Sequence, residues 1–197
     1  METDPGNDLI EVNGNTIYSV MDGLGYLRSL STDYLLKFGI GTLEEDNFIL
    51  DTNKWYPYNK WLDAFDAIIQ DIGEQLLYKI GLSIPKNAFF PRKVNNIESA
   101  IKSINIAYHM NHRQNKKLLY CKESGKMNNI IGQYKCIKIE NENRLVCECS
   151  TPYPCSFDKG IIEAMSRKFE INSCIIHDDS TCCRKKGSCC CRYVIIW

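Results

Sequence analysis

Residues 177–191 read HDDSTCCRKKGSCCC, which places five thiols and one imidazole within 15 residues. Structural Zn²⁺ sites use four sulfur and nitrogen ligands in a tetrahedron, and three thiolates with one imidazole form one such set. Gly187 lets the chain reverse, so that Cys183 and Cys191 can face each other. Cys155 lies just before the cap of a predicted helix, whose positive dipole end favours a thiolate. The stretch therefore predicts a zinc site near the end of the chain.

The pattern alone does not decide which of these cysteines bind the metal. Side chains alternate along the last predicted strand, which puts Cys189 and Cys191 on one face and Cys190 on the other. This alternation disfavours Cys190 but does not choose between Cys189 and Cys191. Three other interpretations stay open, namely buried free cysteines without metal, a redox-active thiol pair and an iron cluster.

The segment from Pro154 onward resembles the 4-vinyl reductase domain family. The resemblance rests on a cysteine before a helix, a ligand position one helix and one strand later, and the closing signature Cys-x3-Gly-x3-Cys-x-aromatic. The corresponding residues are Cys155, His177, Cys183, Gly187, Cys191 and Tyr193. The family is grouped with the heme-NO-binding proteins and the TRAPP subunits in a shared α+β fold.

The resemblance implies a structural zinc and its ligands. The implied set is Cys155, His177, Cys183 and Cys191. Phenol-sensing activators of this family carry a glutamate in place of the histidine, at a slightly different spacing from the next cysteine. For that reason Asp178, Asp179, Cys182 and Cys189 remain alternative ligands.

The resemblance also implies a function. Members bind a small, largely apolar ligand between the helices and the sheet, form dimers, and in many cases control an attached signalling domain. Because this chain leaves no room for such an output, we expect a sensor or regulatory domain that acts as a homodimer or through a signalling partner. Two alternatives are an adaptor or interaction protein like the TRAPP subunits, and a tetrapyrrole- or heme-binding protein or accessory.

Upstream, the hydrophobic pattern predicts an α+β fold with helices packed on one side of a four-stranded antiparallel sheet. An N-terminal β-hairpin extension is predicted over residues 9–21, with Asn13-Gly14 as its turn. Apolar residues at three- and four-residue spacing predict long helices over 59–80, 97–108 and 157–169. Strands are predicted within 118–149 and at 173–177 and 191–197. Residues 1–8 are expected to form a disordered terminus and residues 9–197 a single domain, with its zinc-binding part at about 150–197.

A ligand cavity is expected between the helices predicted at 59–80 and 97–108. The candidate ligand-binding residues are Trp61, Phe65, Ile69, Tyr108, His109 and His112, with Trp55 and His112 at the mouth. Apolar pockets with one or two polar groups hold and orient small ligands. The alternative is that the apolar residues are simple core and the histidines end a helix. The fold analogy also allows heme bound by either histidine, although no sequence feature requires it.

Composition narrows the class of protein. The chain has 197 residues, 44% of them hydrophobic and 24% charged, with no apolar run long enough to span a bilayer. No secretory signal opens it, so we expect a cytoplasmic protein. Eleven cysteines, an odd number, argue against a disulfide framework. Motifs of nucleotide-binding and hydrolytic enzymes are absent, and we do not expect an enzyme.

The zero net charge hides an asymmetry. Residues 1–76 hold four bases and 14 acids, a balance of −10, and residues 77–197 hold 20 bases and ten acids, a balance of +10. We expect these charges to face each other within the domain or a dimer, and nucleic-acid binding is disfavoured.

Overall fold

The computed structural model describes residues 9–197, apart from the side chains of Leu30 and Ile72. The disordered terminus predicted for residues 1–8 lies outside the described residues. The helices are α1 (Gly14–Leu24), α2 (Arg28–Lys37), α3 (Tyr58–Ile72), α4 (Glu74–Asn87), α5 (Ile97–Met110) and α6 (Cys155–Arg167). The strands are β1 (Ile10–Asn13), β2 (Thr42–Glu44), β3 (Asn47–Ile49), β4 (Trp55–Pro57), β5 (His112–Gln114), β6 (Lys117–Leu118), β7 (Tyr134–Lys138), β8 (Arg144–Cys149), β9 (Cys174–His177) and β10 (Cys191–Ile196).

A four-stranded antiparallel sheet forms the C-terminal half, in the order β7-β8-β10-β9. Alternation along β8 and β10 buries one face, including Leu145, Cys147, Tyr193 and Ile195. Helices α5 and α6 pack against this sheet. The predicted α+β class, with helices on one side of a four-stranded antiparallel sheet, is confirmed.

The predicted N-terminal hairpin is wrong. Strand β1 is central in a second sheet of order β4-β1-β5-β6, where it pairs with residues 55–57 and 112–114. The Asn13 side chain accepts a hydrogen bond from the Asn15 backbone N–H at 2.9 Å and so caps α1. An Asn-Gly pair occurs both in hairpin turns and at helix starts. Here it begins a helix, because β1 pairs with strands far along the chain and not with the residues that follow it.

The helix predicted over residues 59–80 is two helices. Gly73 has φ +72°, a left-handed conformation that ends α3 and begins α4. Helix α4 continues past residue 80 and includes Gly81 and Pro85. The prediction followed the apolar spacing, which continues across the break, with Ile68 and Leu77 buried on either side of it.

Helices α4 and α6 cross at very close range through two glycines. A Cβ atom on Gly81 would lie 2.2 Å from the Phe157 carbonyl oxygen, and one on Gly160 would lie 2.3 Å from the Tyr78 carbonyl oxygen. Only glycine allows two helix backbones to approach so closely. The crossing fixes α4 against the helix that begins at Cys155.

Two kinds of cross-link tie distant parts of the chain together. Cys136 and Cys147 lie directly opposite each other in β7 and β8 and form a disulfide. The cysteine count could not predict this bond, because the register of the two strands decides which cysteines meet. Ion pairs Glu11–Arg113 and Glu74–Lys185 join the acidic and basic parts of the chain. Within residues 9–197, none of the helices is both long enough and apolar enough to cross a lipid bilayer.

Candidate functional site

A cluster of three thiols and one imidazole lies where α6 meets the C-terminal sheet. The ligand atoms of Cys155, His177, Cys183 and Cys191 all lie within 4.8 Å of one another. The sulfur of Cys155 is 3.8 Å from that of Cys183 and 3.1 Å from that of Cys191. The three thiols are buried and the imidazole is half-buried. The structure thus brings together the four residues that the resemblance implies as metal ligands.

Secondary structure positions each of these four side chains. Cys155 is the first residue of α6, after Pro154 at the N-cap position, and does not precede the cap as predicted. His177 ends β9, where its ring stacks on the opposed Tyr193 at 4.8 Å between centroids. Cys191 begins β10. The site therefore joins one helix start to two strand ends.

The fourth side chain comes from a tight loop. The Cys183 carbonyl oxygen accepts hydrogen bonds from the backbone N–H groups of Lys186 at 2.9 Å and Ser188 at 3.1 Å. Gly187 completes the turn with φ +86°. This hydrogen-bonded loop returns the chain to Cys191, as the predicted reversal at Gly187 requires.

The alternative ligands lie elsewhere. Cys189 is exposed, whereas Cys191 is buried on the inner face of the sheet. The Asp178 carboxylate accepts hydrogen bonds from Ser180 and Thr181, and the Asp179 carboxylate pairs with Lys186. The remaining alternative ligand, Cys182, contacts Cys190. The geometry favours the implied set over these substitutes.

The electrostatics of the cluster suit a cation. Burial, followed by the contact with Cys191, raises the pKa of Cys155 to about 12. Burial also opposes ionisation of Cys191, but hydrogen bonds from the Arg184 backbone N–H and Nε, each 3.4 Å, hold the pKa of Cys191 below its usual value. The buried His177 Nε2 has no hydrogen-bond partner among the described residues. An unpaired nitrogen beside three crowded sulfurs is the donor set that zinc prefers.

A buried ion pair links this cluster to the interior. The Arg184 guanidinium donates to the carboxylate of Asp158, which is fully buried and also accepts a 2.6 Å hydrogen bond from the Tyr134 hydroxyl. Burial raises the pKa of Asp158 to about 6, against the opposing effect of Arg184. No local pattern in the sequence predicts this pair, because Asp158 and Arg184 are 26 residues apart.

An internal cavity of about 40 Å³ lies between helices α3, α4, α5 and α6. Of the predicted ligand-binding residues, Trp61, Tyr108 and His112 line it. The others, Phe65, Ile69 and His109, are not in its lining: the Phe65 ring stacks behind Trp61 at 5.0 Å, and Ile69 is only partly buried. Trp55, predicted at the mouth, packs its ring against the Arg113 guanidinium.

Most polar atoms around the cavity are satisfied. The Trp61 Nε1–H donates to the Tyr153 hydroxyl at 3.0 Å. The Tyr108 hydroxyl donates to the Ile131 carbonyl oxygen at 2.7 Å and contacts the Tyr58 hydroxyl at 3.0 Å. Because these bonds are complete, the aromatic lining offers an apolar surface.

Two polar atoms of the lining are exceptions. His112 places Nδ1 2.7 Å from the Tyr108 carbonyl oxygen, an acceptor, so Nδ1 carries the proton and Nε2 bears a lone pair. Burial lowers the pKa of His112 to about 4, which keeps the imidazole neutral. Within the described part of the chain, neither His112 Nε2 nor the buried Thr16 Oγ1 has a hydrogen-bond partner. Thr16 is not among the predicted ligand-binding residues, because the sequence predicts a hairpin at this position and carries no local signal of a cavity.

Comparison with known proteins gives the fold its relatives. No protein-family profile and no curated protein sequence matches the chain. An H-NOX protein from S. oneidensis in the Fe(II) ligation state is 15% identical, with 93% of this chain and 95% of that chain covered and a TM-score of 0.61. An H-NOX protein from S. oneidensis in the Fe(II)NO ligation state is 14% identical, with 93% of this chain and 97% of that chain covered and a TM-score of 0.61.

An oxygen-binding H-NOX domain related to soluble guanylate cyclases is 12% identical, with 93% of this chain and 92% of that chain covered and a TM-score of 0.57. Identities this low establish shared architecture and not shared chemistry. The heme-NO-binding branch of the predicted fold group is thereby confirmed at the level of fold. This chain has the fold of the H-NOX domains.

Proposed function

We propose that this protein is a small-molecule-binding regulatory domain whose internal cavity binds its ligand directly. The observation that carries the proposal is the pair of unpartnered polar atoms, Thr16 Oγ1 and His112 Nε2, in the lining of an apolar cavity. A buried polar atom without a partner costs about 1–3 kcal/mol, and a ligand that satisfies it recovers part of that cost. His112 Nε2 accepts a hydrogen bond, so the ligand has an apolar body and at least one O–H or N–H donor.

Cavity volume limits the ligand. A space of about 40 Å³ is large enough for only a few water molecules, whereas a cavity of about 150 Å³ holds benzene. In the described geometry the ligand has only a few heavy atoms, and an aromatic ligand requires neighbouring side chains to move.

Heme does not fit this cavity. The related solved structures include H-NOX proteins in iron and oxygen-bound states. Both His109 and His112 have a buried Nε2 without a hydrogen-bond partner among the described residues, and of the two only His112 lines the cavity. However, the rings of Tyr58 and Tyr108 lie 4.8 and 4.7 Å from its ring, and 40 Å³ leaves no space for a macrocycle. The proposed ligand therefore contacts protein side chains alone.

We further propose that Cys155, His177, Cys183 and Cys191 hold a structural zinc. Four ligands complete a tetrahedron and leave no open position for substrate, so the metal would supply stability and no chemistry. It would tie the start of α6 to the ends of two strands. Membership in the 4-vinyl reductase family, a homodimer and a signalling partner belong to the same proposal and rest on the sequence resemblance. A cytoplasmic location is part of the proposal as well.

The test of ligand binding uses methanol, ethanol, 1-propanol and phenol as graded hydroxyl probes. We expect saturable shifts of the His112 imidazole ¹⁵N resonances and an affinity about tenfold lower in the His112→Gln variant, the effect of one lost hydrogen bond. His109→Gln is the matched control, because His109 lies outside the lining and its variant is expected to bind like the parent protein. Equal affinity in all three proteins would refute the assigned role of His112.

Three measurements on the purified protein separate the alternatives. Metal analysis without a histidine tag is expected to give one zinc per chain that survives dialysis, and substoichiometric metal would contradict the zinc site. A strong visible absorption band would replace our proposal with the tetrapyrrole alternative. Denaturation is expected to release a small apolar molecule that mass spectrometry detects. A protein that releases no ligand and always co-purifies with the same partner protein would favour the TRAPP-like adaptor.

A further inference from the structure

A second pair of cysteines lies beside the proposed metal ligands but outside their cluster. The sulfur of Cys182 is 2.6 Å from that of Cys190 and 3.0 Å from the Cys190 carbonyl oxygen. Both residues are half-buried. Cys182 directly precedes Cys183 at one end of the loop, and Cys190 directly precedes Cys191 at the other end.

The backbone holds the pair together independently of the thiols. The Arg192 N–H donates to the Cys182 carbonyl oxygen at 3.1 Å, and the Asp178 N–H donates to the Arg192 carbonyl oxygen at 2.9 Å. The segment 178–182 therefore runs beside the start of β10. Two cysteines held side by side by main-chain hydrogen bonds need little movement to bond.

Alternation separates the two sulfur pairs. Cys183 and Cys191 are buried in the metal-ligand cluster, whereas Cys182 and Cys190, each one position earlier, remain partly accessible. A reagent in solution can thus reach the outer pair while the inner sulfurs stay covered. The neighbouring Cys189 is exposed.

We propose that Cys182 and Cys190 form a dithiol–disulfide site that reacts with low-molecular-weight disulfides. In the first step a thiolate of the pair attacks the disulfide reagent, forms a mixed disulfide and releases one thiol. The second cysteine then attacks the protein sulfur of that bond, which forms Cys182–Cys190 and releases the second thiol. The protein loses two electrons and two protons, and the reagent becomes two thiols.

The bond would close the loop that carries the metal ligand Cys183. A closed loop restricts the unfolded and metal-free chain more than the native one. The oxidised protein is therefore expected to retain its C-terminal loop structure better than the reduced protein. The formation of the bond does not depend on the proposed zinc.

The test uses oxidised glutathione as the probe. After N-ethylmaleimide quenching and non-reducing tryptic digestion, the expected product is peptide 169–184 cross-linked to peptide 187–192. Cys182→Ser and Cys190→Ser are each expected to abolish it and to leave a glutathione adduct on the remaining cysteine. Cys189→Ser is the matched control and is expected to retain the cross-link.

The outcomes are distinguishable from those of the zinc proposal. We expect the cross-link in protein as purified and in chelator-treated protein. A protein that contains no zinc as purified and still forms the cross-link would therefore refute only the metal site. No cross-link after glutathione treatment of either form would overturn the dithiol proposal. Loss of the cross-link in Cys189→Ser but not in Cys190→Ser would overturn it as well.

Discussion

Replacing Thr16 with valine is expected to stabilise the protein, although it removes a polar group. The Thr16 hydroxyl is buried in α1 and has no hydrogen-bond partner within residues 9–197. Valine has nearly the same shape and a similar helix propensity, so the substitution removes the unmet hydroxyl and little else. It also removes one of the two polar atoms that we assign to ligand binding.

The magnitude follows from the cost of leaving a buried hydroxyl unsatisfied. That cost is about 1–3 kcal/mol, and recovering its lower end gives a gain of about 1 kcal/mol in the free energy of unfolding. For a chain of this length the gain corresponds to a rise of about 2–4 °C in Tm. Urea denaturation of the ligand-free protein measures the first quantity and calorimetry the second.

Ser83→Ala is the matched control. The Ser83 hydroxyl is also buried in a helix, but it donates to the carbonyl oxygens of Ser19 at 2.9 Å and Ile80 at 2.8 Å. Its removal is expected to cost about 1 kcal/mol. A Thr16→Val variant destabilised as much as Ser83→Ala would refute the reasoning, because it would mean that the Thr16 hydroxyl has a partner in solution.

Further predictions address the metal cluster, the helix crossing and the buried histidine. Cys183→Ser is expected to abolish stoichiometric zinc and to lower Tm because metal-binding energy is folding energy, whereas Cys189→Ser leaves both unchanged; equal Tm values would count against the zinc site. Gly160→Ala is expected to cost about 3 kcal/mol or more in urea denaturation, since its Cβ would lie 2.3 Å from the Tyr78 carbonyl oxygen. Folding lowers the pKa of His112 from 6.5 to about 4, so the unfolded chain binds a proton at this residue more readily than the folded protein. The contribution of His112 to the free energy of unfolding is therefore complete above pH 6.5 and is lost as the pH falls to about 4. The loss amounts to up to about 3 kcal/mol. His112→Gln is expected to flatten this part of the stability–pH profile, and an unchanged slope would assign it to other groups.

Local sequence patterns were sufficient to predict much of the fold. Alternation in β8 and β10 and the apolar spacing of α5 and α6 depend on burial of one face, which the sequence records directly. The cap of α5 is likewise local: Asn96, directly before the first residue of the helix, accepts a hydrogen bond from the Ser99 backbone N–H at 2.7 Å. The signature from Cys155 onward predicted that three thiols and one imidazole lie close together, and the structure brings these four side chains within 4.8 Å of one another.

These errors share a physical cause, which is that contacts between different elements of the fold decide the outcome. Asn13-Gly14 begins a helix because β1 pairs with residues far along the chain. The Cys136–Cys147 disulfide depends on the register of β7 against β8. The unmet hydroxyl of Thr16 is invisible in sequence, since only tertiary packing decides whether a polar atom finds a partner.

Helix α6 contributes to both candidate sites. It begins with Cys155, one of the four clustered thiol and imidazole residues, and its side chains Phe157 and Ile161, two and six residues later, lie in the wall of the cavity. If zinc and ligand bind as proposed, a shift of the first turn on metal binding would move that wall, and a ligand that displaces the wall would move the first turn. Thermodynamic linkage would make the effect reciprocal: the factor by which zinc changes ligand affinity would equal the factor by which ligand changes zinc affinity. The occupancy of one proposed site could then be measured through the affinity of the other.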